Sequence, residues 1–77
     1  MALEKSLLKI LACPVDKGRL IYSAERTMLY NPRLRRRYEI EKGVPVMLAH
    51  RARAVGDDEH SRLLELARTG GAVWTLS

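Results

Sequence analysis

The sequence predicts an α+β fold in which an N-terminal helix packs on a small antiparallel sheet of three or four strands, and a second helix follows toward the C-terminus. Three observations carry this prediction. Apolar residues recur at helical spacing over the first dozen positions, period-two alternation and turn signals fill the middle, and residues 56–71 combine a polar start, a partial apolar stripe and a Gly-Gly stop.

Each element follows from local chemistry. Leu3, Leu7, Leu8, Ile10 and Leu11, interspersed with Glu4, Lys5 and Lys9, describe a short amphipathic helix that Pro14 ends. Residues 19–24 and 27–30 read as a hairpin joined at Glu25-Arg26, with Leu20 and Tyr22 on one face and Ile21 on the other. Asn31-Pro32 signals a turn. Arg37-Tyr38-Glu39-Ile40-Glu41 then alternates charged and apolar, the pattern of a strand with one wet face. Lys42-Gly43 turns the chain again into Val44-Pro45-Val46-Met47-Leu48, and Pro45, lacking an N–H, places this run at a sheet edge. Gly56-Asp57-Asp58 offers N-cap side chains to a helix of about three turns. Its stripe of Leu63, Leu64, Leu66 and Ala67 reads as core ahead of interface, and His60 as a surface residue.

Composition bounds the function. A chain of 77 residues has room for one domain, and a domain this size buries roughly 60 to 65% of the surface its unfolded chain exposes. With 47% apolar and 30% charged residues it belongs among folded chains and not disordered ones. A single cysteine excludes an internal disulfide and fits a reducing cytosol. Lys5, Glu4 and Lys9 break any signal-peptide core, and no run approaches the ~20 apolar residues of a membrane helix. The expected location is the cytoplasm, with no membrane association. A net charge of +5 permits a nucleic-acid or acidic-protein partner.

Cys13-Pro14-Val15-Asp16, followed by Lys17-Gly18, has the outline of a turn that presents paired thiolates to a metal, with Asp16 in the second thiolate position. Asn31 and Leu34 repeat the two-residue gap where the other two ligands would stand. One cysteine remains for four positions. Cys13 therefore reads as a small buried hydrophobe, with a metal ligand or a reactive thiol as the alternatives. Asp16 is expected to accept backbone N–H groups of Lys17 or Gly18 in an Asx-turn, and Gly18 to supply a positive φ. Structural zinc contributes on the order of 10 to 16 kcal/mol, whereas a domain is stable by only about 5 to 15. A replacement is needed: the C-terminal helix, packing by Leu34, or an oligomeric or partner contact.

Arg33, Arg35, Arg36 and Arg37, beside Lys42, form the densest charge on the chain. They read as a solvated strand-and-turn face, or as a footprint for RNA or an acidic partner. The Val44 to Leu48 run closes the core, or leaves a sheet edge to which a partner adds a strand. No Gly-rich phosphate loop, paired-carboxylate site or Ser/His/Asp grouping is present, so no enzyme, no catalytic residue and no cofactor is expected.

The stretch Leu7-Leu8-Lys9-Ile10-Leu11-Ala12-Cys13-Pro14-Val15, with Gly18, Leu20, Tyr38, Ile40 and Gly43-Val44-Pro45-Val46-Met47-Leu48, resembles the small zinc-ribbon-like proteins that act as activating partner subunits of methyltransferases, including those modifying tRNA. The short bacterial branch is the closer match. The resemblance covers roughly residues 3–55. It departs at the metal positions Asp16, Asn31 and Leu34, so no metal is expected, and Gly56 onward lies outside it. It implies a zinc-ribbon-like α+β unit, taken as residues 1–55; residues 56–77 are read from their own pattern as a helix and tail of the same domain. It also implies a non-enzymatic interaction module, an accessory or activating subunit of a methyltransferase acting on tRNA or translation factors; the apolar edge run offers Val44, Val46, Met47 and Leu48 as the contact. The alternative is a small basic RNA- or ribosome-binding protein that uses the arginine cluster.

Overall fold

The computed structural model of the chain describes residues 5–76. In order these form α1 (Lys5–Leu8), β1 (Ile21–Ser23), β2 (Met28–Asn31), β3 (Arg36–Glu41), β4 (Val44–Pro45), a 3-10 turn (Ala49–Arg51), β5 (Arg53–Ala54), α2 (Asp57–Thr69) and β6 (Val73–Trp74). The sheet is antiparallel with the order β4-β3-β2-β1-β6, and β5 pairs with the other end of the β3 edge that β4 occupies.

The α+β class stands, with two corrections. The N-terminal helix is one short turn, Lys5–Leu8; the positions ahead of it, including Leu3 and Glu4, lie outside the described residues. Its last carbonyls are used at once, since Leu7 O accepts from both Ile10 N and Leu11 N at 3.1 Å. The chain must then extend, because Pro14 bars helical geometry at Cys13. The sheet also has more strands than three or four. β5 and β6 are two residues each, too short for alternation to register, and β6 reaches β1 from the far end of the chain through Ile21↔Trp74 and Tyr22↔Val73.

The central hairpin holds as read, and its alternation explains the packing. Leu20, Tyr22, Leu29 and Tyr38 share one face with Cys13, covered by Leu7, Leu8, Leu11, Ile40 and Met47. Ile21, Met28 and Tyr30 share the other with Val55, Leu63 and Ala72, covered by Leu66, Ala67 and Trp74. The sheet is thus buried on both sides, the N-terminal segment on one and α2 on the other. Glu41 and Val44 pair across Lys42-Gly43, whose φ values of 51° and 79° are those a two-residue type I′ turn needs.

Two local readings change. Arg37 and Glu39 do not face open water: α2 lies over that side, and Arg37 Nη1 donates to Glu59 Oε2 at 3.0 Å. The N-cap of α2 is Gly56, without a side-chain cap, because Asp57 is drawn to Arg35 and Glu59 to Arg37. Asp57, Asp58 and Glu59 still fill the first turn, where they favour the helix dipole, and Gly70 at φ 91° stops the helix as expected. The tail is a clasp, with Leu20 N donating to Thr75 Oγ1 and Thr75 N to Leu20 O, both at 2.8 Å. Leu76 N donates to Leu8 O at 3.0 Å, which ties the tail to α1. No helix among the described residues is long and apolar enough to cross a membrane.

Candidate functional site

The two metal-like turns are built alike. Each begins with a residue followed by proline, Cys13-Pro14 and Asn31-Pro32, and each reaches positive φ four residues on, at Lys17 (61°) and Arg35 (53°). Cys13 O accepts from Lys17 N at 2.9 Å, and Cys13 Sγ from Val15 N at 3.5 Å. In the second turn Asn31 Oδ1 accepts from Arg33 N at 2.9 Å and from Leu34 N at 3.2 Å. Backbone amides aimed at one side-chain acceptor stabilise negative charge there, and the amide oxygen of Asn31 now uses them.

Asp16 accepts from Gly18 N at 3.0 Å, the expected Asx-turn. The positive φ belongs to Lys17, however, and not to Gly18. What Gly18 provides is room: a Cβ there would stand 2.3 Å from Arg33 Nη2. That guanidinium grips Asp16 through Nε (2.7 Å) and Nη2 (3.2 Å), and Nη2 also donates to Arg19 O at 2.8 Å. Asn31 Nδ2 adds a further donor to Asp16 at 3.2 Å.

These residues do not fit zinc. A tetrahedral structural site needs four N, S or O donors. Here Cys13 is the single thiol, Asp16 is already matched to a cation, and Leu34 has no donor atom and is 40% exposed. Leu34, one of the candidates to replace the metal by packing, belongs to neither core cluster. Among the described residues no group of three or more His, Cys, Asp or Glu gathers. The Arg33 guanidinium, with the Gly18 and Asn31 donors, holds the Asp16 carboxyl well below the usual carboxylate range. Burial pushes the Cys13 thiol up, but the Tyr38 hydroxyl at 3.2 Å, the Asp16 and Val15 amides and the Asn31 side chain outweigh it and leave the thiol lowered. Burial, then the bond to Cys13, raises the Tyr38 hydroxyl. Cys13 has no solvent exposure, which fits a packed thiol better than a nucleophile.

The arginine cluster divides. Arg33 pairs with Asp16, Arg35 with Asp57, and Arg37 with Glu59, while Arg37 Nε lies 3.4 Å from Glu39 Oε1 without hydrogen-bond geometry. Arg36 is exposed beside Asn31 in the β2–β3 ladder. Three of the four guanidiniums thus have carboxylate partners, two of them in the first turn of α2. His60 joins them: it is half-buried, and its Nδ1 lies 2.5 Å from the hydroxyl of fully buried Tyr30 with the rings edge to face. No sequence period pairs a strand tyrosine with a helix histidine, so this contact had no signal.

The Val44 to Leu48 run lies at the outer edge of the sheet, as Pro45 predicted. Met47 turns into the first core, Val46 is half-buried, and Val44 and Leu48 are 62% and 48% exposed. Ile10 and Val15 also project from the knuckle end. An open cleft of about 400 Å³ is lined by Arg26, Asp58, Glu59 and Arg62, two cations and two carboxylates.

This geometry has relatives. At 44% identity over 57 residues the chain is similar to a UPF0434 protein of Neisseria meningitidis serogroup C, covering 74% of this chain and 95% of that one. A UPF0434 protein of Tolumonas auensis is 42% identical over 59 residues, 77% of this chain and 95% of that one. The solution NMR structure of an uncharacterized BCR protein, Northeast Structural Genomics Consortium target CgR1, superposes with a TM-score of 0.62 at 43% identity, over 73% of this chain and 92% of that one. Residues 4–43, which hold both knuckle turns and the hairpin between them, match the family described as Trm112p-like protein. By that match and by these relatives, the chain belongs to the Trm112p-like family of small proteins.

Proposed function

We propose that the protein is a non-catalytic accessory subunit that binds and stabilises a methyltransferase acting on tRNA or translation factors. Its family membership supports an accessory role, and the single observation that supports a contact at the sheet edge is the exposure of Val44 and Leu48 there. Side chains this apolar lose about 25 cal/mol for each Å² left in water. A partner that covers them stabilises both proteins by mass action. Val46 extends the patch, and Met47 supports it from the core side.

Photo-cross-linking residues placed at Val44 or Leu48 in cells test this directly. The same methyltransferase is expected at both positions and absent at the exposed Arg62 control, and co-expression is expected to raise its soluble yield. Recovery of no methyltransferase from either position would overturn the reading. The second reading, RNA binding, is favoured by the +5 charge and the exposed Arg36. It predicts RNA retention that falls steeply with salt and is lost in Arg36→Glu; retention unchanged in that variant removes it.

A further inference from the structure

The edge run has a chemical character beyond being apolar. From Lys42 to Gly56 the chain carries Lys42, His50, Arg51 and Arg53 and no acidic residue. The neighbouring carboxylates on β3 are engaged: Glu41 accepts from Arg51 Nη2 at 3.1 Å, and Glu39 lies beside Arg37. Arg53 stands directly opposite Arg37 in the ladder, and like charges facing one another across a strand pair are unfavourable. Arg37 is paired with Glu59 through Nη1, whereas Arg53 is exposed. Positive charge therefore remains at both ends of the patch, at Lys42 and Arg53, with Val44 and Leu48 between.

The backbone restricts how this edge is read. Val46 N donates inward to Glu39 O at 2.9 Å, and Pro45 sits opposite Ile40. Strand alternation then turns the Pro45 nitrogen outward, where an added strand needs a donor and finds none. This disfavours strand addition at Pro45 and favours recognition through side chains, by an apolar centre with a charged rim.

We propose that residues 42–54 are a docking face for an acidic segment of a partner protein, whose apolar side chains cover Val44 and Leu48 and whose carboxylates reach Lys42 and Arg53. This rests on the accessory-subunit reading of the same run and names the chemistry of its partner. An RNA strand would match the rim with its phosphates, but it carries no aliphatic side chains to pack on the exposed valine and leucine. Electrostatic complementarity of this kind sets specificity and association rate more than raw affinity.

Nitrogen-15-labelled full-length protein titrated with two peptides of roughly 12 residues, sharing one leucine spacing but carrying glutamates or lysines, tests the proposal; oligouridine of similar length is the third probe. The glutamate peptide is expected to shift the Val44, Leu48 and Arg53 amides. Its affinity should fall with added salt and drop about tenfold or more in Lys42→Glu/Arg53→Glu. The lysine peptide and the oligouridine should leave those amides in place. Equal response to both peptides overturns the acidic assignment and leaves the apolar docking surface standing, which cross-linking at Val44 decides separately. A shift of these amides by oligouridine, or silence with all three probes, also overturns it. The peptide comparison uses the unmodified chain and does not depend on the variant folding.

Discussion

Replacing Thr75 by valine isolates one hydrogen bond that closes the sheet. Thr75 and Leu20 are both fully buried, and Thr75 Oγ1 is the acceptor for Leu20 N. Valine keeps the shape of the side chain, so no cavity opens and the strand contacts of Trp74 and Val73 are untouched. What is lost is the acceptor, leaving one buried N–H without a partner. An orphaned buried donor costs about 1 to 3 kcal/mol. For a chain of this length each kcal/mol lowers the melting temperature by roughly 4 to 8 °C, so a drop of at least about 4 °C is expected by calorimetry or circular dichroism. Thr75→Ser, which retains the oxygen, should keep the bond and lose only the packing of one methyl. Hydrogen exchange gives the residue-level readout: the Leu20 amide should lose protection in the valine variant and keep it in the serine variant. Unchanged melting together with an unchanged Leu20 amide would refute the clasp and the assignment of β6 as a sheet edge.

Three further outcomes follow from the knuckle. Gly18→Ala should destabilise the native chain by expelling Arg33 from Asp16, yet be neutral or stabilising in an Arg33→Ala background, because Gly18 is not at positive φ and alanine restricts the unfolded chain; the same sign in both backgrounds in urea unfolding would dismiss the close-approach account. The Asp16 carboxyl is lowered on folding from 3.8, so its stabilising contribution is complete above that value and is lost as pH falls below it; Asp16→Asn should flatten the acid limb of the stability profile, and an identical limb would contradict the pairing with Arg33. Asp16→Cys/Asn31→Cys/Leu34→Cys, with the resident Cys13, should bind one cobalt or zinc ion through four thiolates and show tetrahedral cobalt bands that the unmodified chain lacks; a triple variant that folds without binding metal would deny that the two turns share ribbon geometry.

The sequence by itself determined what local chemistry controls. Alternation over residues 20–22 assigned Leu20 and Tyr22 to one face and Ile21 to the other, and the two cores keep that division. Pro45 assigned the edge, because a missing N–H has the same consequence in any sheet, and Gly70 marked the end of α2 because only a left-handed residue closes it without strain. The Asx-turn of Asp16 was legible for the same reason: its donor lies two residues away. Tertiary structure decided everything that depends on which distant segments meet. Arg33 reaching Asp16, Tyr30 meeting His60, Arg35 and Arg37 pairing with the first turn of α2, and Thr75 closing on Leu20 each join residues at least seventeen positions apart, with no periodicity to announce them. The arginine run looked like a free basic surface because charge is counted along a chain, whereas its neutralisation is settled by the carboxylates that folding brings within about 3 Å.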